Sequence, residues 1–313
     1  MKIAFFGIPD LGIICLNTIM ASKKNVIMVV PPAAVHPSHS VMVNTANSYG
    51  IPSVIFQKTP KEKDFINKFR EYEPDVAVVA SYNNLIPQEL LEIPKYGFIN
   101  CHPALLPNYR GGNPYFHVIY NGESKTGTTI HYMDNSFDTG DIILQEEMKI
   151  EANDTLGLLF NKLNHQGARL LNDVLTRLDN GETLPRIPQD KNGSYKTAPN
   201  IGQDEESTFI DWNTDACHIE SFVRGLNPFF GAKSYFRNCK VRFWSGLYNL
   251  SSSKSYTPGT IVNVTKDNIA IATKEGFFVP TSLQLEYFLI TDIKDFIKRT
   301  NPKVGEIFTV MPV

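Results

Sequence analysis

The sequence has 313 residues, a net charge of −2 and 20% charged side chains. This length supports two domains with separate cores, and the near-neutral charge excludes a strong overall field for nucleic acid. The four cysteines are widely spaced and fit neither a disulfide scaffold nor a zinc site, so we expect a cytoplasmic protein without a metal. No apolar run is long enough to span a membrane, and Met1–Phe6 predicts a strand rather than a signal peptide.

The N-terminal half alternates strand and helix signals. Lys2–Phe6 is a short apolar strand, a turn begins at Gly7, and a helix with apolar residues on one face follows. Asn25–Val30 predicts the second strand. This order favours an α/β domain with a doubly wound, Rossmann-like parallel sheet. Because Gly7 and Gly12 do not form G-x-G-x-x-G and no Walker pattern is present, NAD and ATP are disfavoured as ligands.

The segment from Pro31 to Tyr49 has an unusual composition. It contains no Lys, Arg, Asp or Glu, and its prolines favour a loop. His36 and His39 could form a metal pair, but no third ligand lies near them in sequence. After this segment, Val54–Phe56 predicts a third strand.

The residues that carry chemistry lie between 98 and 142. Asn100 and His102 end an apolar strand, and Asp138 lies in the turn after a second strand, so we expect all three side chains at strand ends. An imidazolium and an amide can donate hydrogen bonds to an oxyanion, while a carboxylate can orient the imidazole and accept a proton. This combination suits acyl transfer to an amine. Each residue could instead have a structural role, as a satisfied histidine, a turn asparagine or a turn cap.

The C-terminal half changes character twice. Asp154 is expected to cap a long helix that ends near Gly181, and prolines and glycines then indicate a linker. From Phe209 onward, a helix and several short strands predict a small OB-like β-barrel. We therefore expect a catalytic domain at 1–184, a linker at 185–207 and a C-terminal domain at 208–313.

The order of motifs identifies a family. N-x-H-P-x-L-L-P-x-Y-R-G-x-x-P, then G-x-T-x-H-x-M, then D-x-G-D-I, resembles the formyltransferases that use N10-formyltetrahydrofolate. These include methionyl-tRNA, amino-sugar and glycinamide ribonucleotide formyltransferases. The later I-D-W and V-R-G-L-N-P patterns resemble the C-terminal domain of methionyl-tRNA formyltransferases and of some sugar formyltransferases, so the resemblance covers nearly the whole chain.

The resemblance implies roles for particular residues. Asn100, His102 and Asp138 would be the catalytic trio, and no metal would be required. The donor, N10-formyltetrahydrofolate, would bind at two loops, one after a buried strand and one around the aspartate: Asn84, Leu85, Ile86, Pro87, Phe137, Thr139, Gly140 and Asp141. The acceptor would bind at the first turn and at the arginine–glycine loop: Gly7, Ile8, Pro9, Arg110, Gly111 and Gly112.

The motifs leave the acceptor open. Methionyl-tRNA formyltransferases carry a basic loop where this chain has the uncharged segment from Pro31 to Tyr49, and the R-G-G-N-P-Y-F sequence is closer to sugar formyltransferases. We therefore expect a small amine, such as a nucleotide-linked amino sugar, over initiator methionyl-tRNA. Lys233, Arg237, Lys240 and Arg242 are the candidate tRNA contacts, unless they only form a solvated surface. Two further hypotheses stay open, namely hydrolysis of the donor and a binding protein with a decayed site.

Overall fold

A computed structural model describes residues 1–32, 36–56, 62–82, 84–190 and 192–312. By Cα proximity the chain divides into two compact units. Unit 1 holds 1–114, 125–149 and 161–197, and unit 2 holds 115–124, 150–160 and 198–313. In the described ranges, no helix is both long and apolar enough to cross a bilayer.

Strands and helices alternate through most of the first 180 residues. The elements are, in chain order, β1 (Lys2–Gly7), α1 (Pro9–Ala21), β2 (Asn25–Val30), α2 (His39–Ser48), α3 (Glu62–Tyr72), β3 (Val76–Ala80), α4 (Gln88–Leu91), β4 (Phe98–His102), α5 (Pro114–Tyr120), β5 (Lys125–Tyr132), β6 (Ile142–Lys149) and α6 (Leu156–Asp179). The sheet has the order β2-β1-β3-β4-β5-β6. The first four strands are parallel, β5 pairs antiparallel with β4, and β6 pairs antiparallel with β5.

Both faces of the sheet carry apolar layers, because its central strands are buried runs of Val, Ile, Ala and Phe. One layer packs α1, α2 and α6 against Ile99 and Cys101 of β4. The other packs α3 and α4 against Phe6 and Phe98. The predicted Rossmann-like sheet is therefore confirmed, with β5 and β6 added at one edge through antiparallel pairing.

Some local predictions were wrong. The segment predicted as a loop after β2 contains α2, although Ala33–Val35 lie outside the described residues. The third strand predicted at Val54–Phe56 reduces to one bridge between Ser53 and Val29. The α6 helix is capped by Thr155, whose hydroxyl accepts from the Leu158 amide, while Asp154 accepts from the Glu151 amide.

Unit 2 is built on an antiparallel sheet. Its elements are α7 (Ala216–Leu226), β7 (Ala232–Phe236), β8 (Cys239–Asn249), β9 (Ile261–Val264), β10 (Ile269–Ala272), β11 (Phe277–Leu285), β12 (Thr291–Asp292), α8 (Ile293–Thr300) and β13 (Phe308–Thr309). The strand order is β13-β7-β8-β11-β10-β9. A bridge between Thr260 and Ile307 joins the two ends of this order, so the sheet curls round Trp212 and its phenylalanine neighbours. The predicted OB-like barrel is confirmed.

Candidate active site

The polar side chains of unit 1 gather on one face of β4 and β5. Successive residues of a strand point to opposite faces, so Asn100 and His102 share the face of Phe98. Asn100 pairs with His131 across the antiparallel ladder, and His102 pairs with Thr129. The aromatic layer under α3 reaches Phe98, and the polar residues begin two positions further along the strand. Asn100 therefore lies in the middle of β4, where the sequence predicted a strand end, and His102 is the last residue of that strand.

The return loop, residues 133–141, connects β5 to β6 and brings the third side chain to this face. Asp134 organises the loop, since its carboxylate accepts from the Ser136 amide at 3.1 Å and the Thr139 hydroxyl at 2.6 Å. Asp138 adopts a left-handed conformation with φ of 57°. A Cβ on Gly140 would lie 1.9 Å from the Tyr132 carbonyl oxygen, so only glycine permits this close turn.

The carboxylate of Asp138 lies among three nitrogen-bearing side chains. Its Oδ1 is 3.4 Å from Asn100 Nδ2, 3.6 Å from His102 Nδ1 and 3.8 Å from His131 Nε2. Its Oδ2 accepts a hydrogen bond from the Gly111 amide at 3.0 Å. The structure thus brings Asn100, His102 and Asp138 together, within reach of one reacting group.

The tautomer of His102 follows from its surroundings. Its Nε2 lies 2.9 Å from the backbone oxygen of Tyr109, and a carbonyl can only accept, so Nε2 carries a hydrogen. Tyr109 holds this carbonyl in place through a left-handed φ of 62° and through an amide hydrogen bond to Lys196. The one ring nitrogen left for proton exchange is therefore Nδ1, which faces Asp138.

His131 is a further candidate site residue, for which the sequence predicted no role. Burial lowers its pKa to about 4, with the Asp138 charge acting in the opposite direction, so the ring is neutral near pH 7. Nδ1 donates to the Tyr132 carbonyl at 2.7 Å, and Nε2 accepts from Asn100 Nδ2 at 3.1 Å. This contact fixes which way the Asn100 amide points. His131 is the histidine of the G-x-T-x-H-x-M motif, but its pairing with Asn100 could not be predicted without the register between β4 and β5.

The residues expected to bind the acceptor fall at two places. Gly7 ends β1, Ile8 follows it and Pro9 begins α1; a Cβ on Gly7 would lie 3.3 Å from the Cα of Gly12. Arg110 and Gly111 lie beside the return loop: Gly111 contacts Asp138, and Arg110 Nη2 donates to Gln189 at 2.6 Å. Gly112, the next residue, is exposed.

The residues expected to bind the donor also lie on two loops. The segment 84–87 follows β3, next to β4, and its Ile86 is buried in the core beneath α3 and α4. Phe137, which precedes Asp138, leaves 62% of its surface exposed. The Asp141 carboxylate lies 3.6 Å from Arg186, and the Arg186 guanidinium stacks 3.7 Å from the Tyr132 ring centre. An exposed aromatic beside the aspartate offers a surface for a planar ligand.

The side chains that commonly bind metals are dispersed. Across the described ranges, no group of three histidine, cysteine, aspartate or glutamate side chains is arranged to hold a metal ion. All four cysteines are free thiols, of which Cys15 and Cys101 are buried. The candidate site instead groups an amide, two imidazoles and a carboxylate, and of the two imidazoles that of His131 is occupied by Tyr132 and Asn100.

Comparison with known proteins identifies the family. Residues 1–175 match the formyl transferase model, and residues 203–301 match the formyl transferase C-terminal domain model. This chain belongs to the formyl transferase family. The family predicted from the motifs is confirmed, and so is the prediction of an enzyme of this class.

Relatives by sequence and by structure carry different names. The methionyl-tRNA formyltransferase of Clostridioides difficile is 32% identical over 97% of this chain and 99% of its own length. The N-formyltransferase of Helicobacter canadensis, solved with folinic acid and dTDP-3-aminofucose, has a TM-score of 0.65 at 19% identity, covering 90% of this chain and 98% of that chain. HypX from Aquifex aeolicus with tetrahydrofolic acid has a TM-score of 0.63 at 16% identity, covering 98% of this chain and 48% of that chain. The two structural matches show a shared fold.

Proposed function

We propose that this formyltransferase moves the formyl group of N10-formyltetrahydrofolate to the primary amine of a small acceptor, best represented by a nucleotide-linked amino sugar. The observation that carries the reaction is the cluster of Asn100, His102 and Asp138, with Asp138 Oδ1 within 3.6 Å of the other two side chains. We propose a cytoplasmic setting, since all four cysteines are free thiols.

The chemistry divides among the three side chains. The acceptor amine attacks the formyl carbon, so a new N–C bond forms while the bond from that carbon to N10 breaks. Asn100 keeps one Nδ2 hydrogen on neutral His131 and turns the other, which lies 3.4 Å from Asp138 Oδ1, to the oxyanion that develops on the formyl oxygen. The proton lost by the amine passes to the pair formed by His102 Nδ1 and Asp138, and then to the leaving nitrogen.

Charge pairing on unit 2 favours a small acceptor over tRNA. Lys233 and Lys240 lie 3.3 and 2.8 Å from the carboxylate of Glu205. Arg237 donates from two nitrogens to Glu306, at 2.6 and 2.7 Å. Lys240 also lies 3.6 Å from Glu286, so three of the four candidate phosphate contacts are already paired with carboxylates. Binding of a phosphate backbone would have to displace these carboxylates before any counterion release could be gained.

Methionyl-tRNA is the second candidate acceptor, and a specific observation favours it. The Clostridioides difficile relative is named for this activity and aligns with almost the whole of both chains. A relative from Bacillus mycoides with the same name is 35% identical over 97% of this chain. If tRNA is the acceptor, its phosphates must be bound by residues other than Lys233, Arg237 and Lys240, because these three are paired with carboxylates.

The experiment compares acceptors with one donor. Purified protein and N10-formyltetrahydrofolate are mixed with a panel of dTDP-, UDP- and GDP-linked amino sugars or with charged initiator tRNA, and tetrahydrofolate release is followed. We expect turnover with at least one amino sugar and weak formylation of the tRNA. Efficient tRNA formylation with no turnover on any sugar would replace the first acceptor by the second. Formate release at the same rate without an amine would indicate hydrolysis and contradict both.

A further inference from the structure

Gln189 lies in the segment expected to be a linker, yet this part of the chain is anchored to unit 1 at both ends. Ile187 and Ile142 exchange backbone hydrogen bonds of 2.8 and 3.0 Å. At the other end, Thr197 forms a bridge with Arg110, and the Lys196 carbonyl accepts from the Tyr109 amide. Gln189, between these anchors, has only 6% of its surface exposed. A buried amide must find partners, and its partners lie at the active site.

The Gln189 side chain joins two parts of that site. Its Nε2 donates to the backbone oxygens of Asp138 at 3.0 Å and of Gly140 at 2.7 Å. Its Oε1 accepts from Arg110 Nη2 at 2.6 Å. Carbonyls only accept and a guanidinium only donates, so these partners permit one orientation of the amide. Both amide hydrogens and the carbonyl oxygen of Gln189 are thus engaged.

These contacts close a ring around the catalytic carboxylate. Gln189 holds the backbone oxygen of Asp138, and the Gly111 amide holds its side-chain Oδ2 at 3.0 Å. Gly111 follows Arg110 in the chain, and the Arg110 side chain donates a hydrogen bond to Gln189. The left-handed backbone of Asp138 is costly for a residue with a Cβ, so the turn relies on such restraints.

We propose that Gln189 is a positioning residue that sets the place of Asp138 relative to His102 Nδ1. It acts through the backbone of the return loop and through Arg110, without contacting the reacting atoms. The inference rests on the proposed formyl transfer but not on the identity of the acceptor. A displacement of about 1 Å in a catalytic group can cost up to roughly a hundredfold in rate.

The first test separates positioning from general stability. Gln189→Ala removes all three contacts, and Gln189→Glu keeps the acceptor for Arg110 but presents an oxygen to two carbonyl oxygens. We expect both to lower kcat about ten- to hundredfold while the KM for the donor changes by less than about threefold. Gln203→Ala, at an exposed glutamine further along the same segment, is the matched control and should leave kcat unchanged. Turnover of Gln189→Ala within about twofold of the parent would overturn the proposal.

The second test asks whether Gln189 acts through Asp138. Combined with Asp138→Ala, Gln189→Ala should cost less than about twofold in kcat, because residues that act as one unit are not additive. An equal fold-loss in both backgrounds would contradict the proposed role.

Crystal structures of the parent and Gln189→Ala complete the test without any acceptor. The inference predicts that Asp138 Oδ2 leaves the Gly111 amide in the variant, and an unmoved carboxylate would overturn it. A parent enzyme inactive on every acceptor, with this displacement present, would count against the proposed function and leave the positioning role standing.

Discussion

Two polar regions of this protein differ in what surrounds them. At the β4–β5 face of unit 1, one carboxylate lies among two imidazoles and an amide, and the side chains of Asp138 and His102 are 13% and 6% exposed. On unit 2, Arg237 and Glu306 face each other with 48% and 27% of their side chains exposed. Exposed ion pairs of this kind contribute little to the free energy of folding, and each charge is already paired with its partner. The buried cluster has one carboxylate for several partners, which leaves hydrogen-bonding capacity for a substrate.

The largest expected effect comes from removing the imidazole. His102→Asn keeps a polar side chain but has no ring nitrogen facing Asp138. We expect kcat to fall roughly 10²–10³-fold, as when one preorganised group is removed from an acyl-transfer site. Steady-state kinetics with saturating donor and acceptor provide the measurement, and Arg237→Gln, at the exposed pair, is the control that should retain turnover. A similar loss in both variants would remove the contrast between the two regions.

The second effect concerns the backbone that carries Asp138. In Gly140→Ala the new Cβ would meet the Tyr132 carbonyl oxygen, which cannot move aside as a flexible side chain can. We expect the free energy of unfolding to fall by about 3 kcal/mol, the upper end for overpacking. Chemical denaturation checks this value. Gly50→Ala is the control: its φ is 69° but nothing lies within 4 Å of its Cβ position, so about 1 kcal/mol is expected there.

The third effect is a pH dependence that originates at His131. Its pKa is about 4 in the folded protein and near 6.5 when unfolded, so the unfolded state binds more protons between these values. Stability is therefore lost as pH falls from about 6.5 toward 4 and regained as pH rises. Relative to His131→Leu, the parent should lose about 2–3 kcal/mol between pH 7 and pH 4.5. His165→Leu, at an exposed histidine, supplies the baseline, and parallel pH profiles for parent and His131→Leu would contradict the assignment.

The smallest effect lies on unit 2. Glu205→Gln removes the carboxylate shared by Lys233 and Lys240, and should change stability by less than about 1 kcal/mol. Lys233 loses its carboxylate partner and Lys240 keeps only Glu286 at 3.6 Å, so tRNA binding should strengthen and decline more steeply with salt. Binding is measured by filter retention at low and moderate salt, with Glu182→Gln, a partner of Arg177, as the control for net charge. Tight tRNA binding by the parent, unchanged in Glu205→Gln, would reverse the acceptor preference.

The fold predicted from the sequence is confirmed, and the catalytic role of the trio stays a prediction; both were predicted from local patterns. Alternating apolar strands and helices gave the parallel sheet, and the spacing of Asn100, His102 and Asp138 matched a known order of motifs. The contacts of His131 and Gln189 were missed because they depend on long-range pairing: Asn100 pairs with His131 across the sheet, and Gln189 contacts the return loop from 49 residues away. The α2 helix was missed because prolines and the lack of charge at 31–49 favoured a loop.

The most direct test of the account is Asp138→Asn, which replaces the carboxylate shared by His102 and Asn100 with a neutral group of the same shape. Turnover and donor binding are measured on the same preparation, the latter by calorimetry with a stable folate analogue. We predict a loss of about a hundredfold or more in kcat, with donor affinity changed by less than about threefold. Near-parental turnover in Asp138→Asn, with the protein folded and the donor bound, would contradict the account.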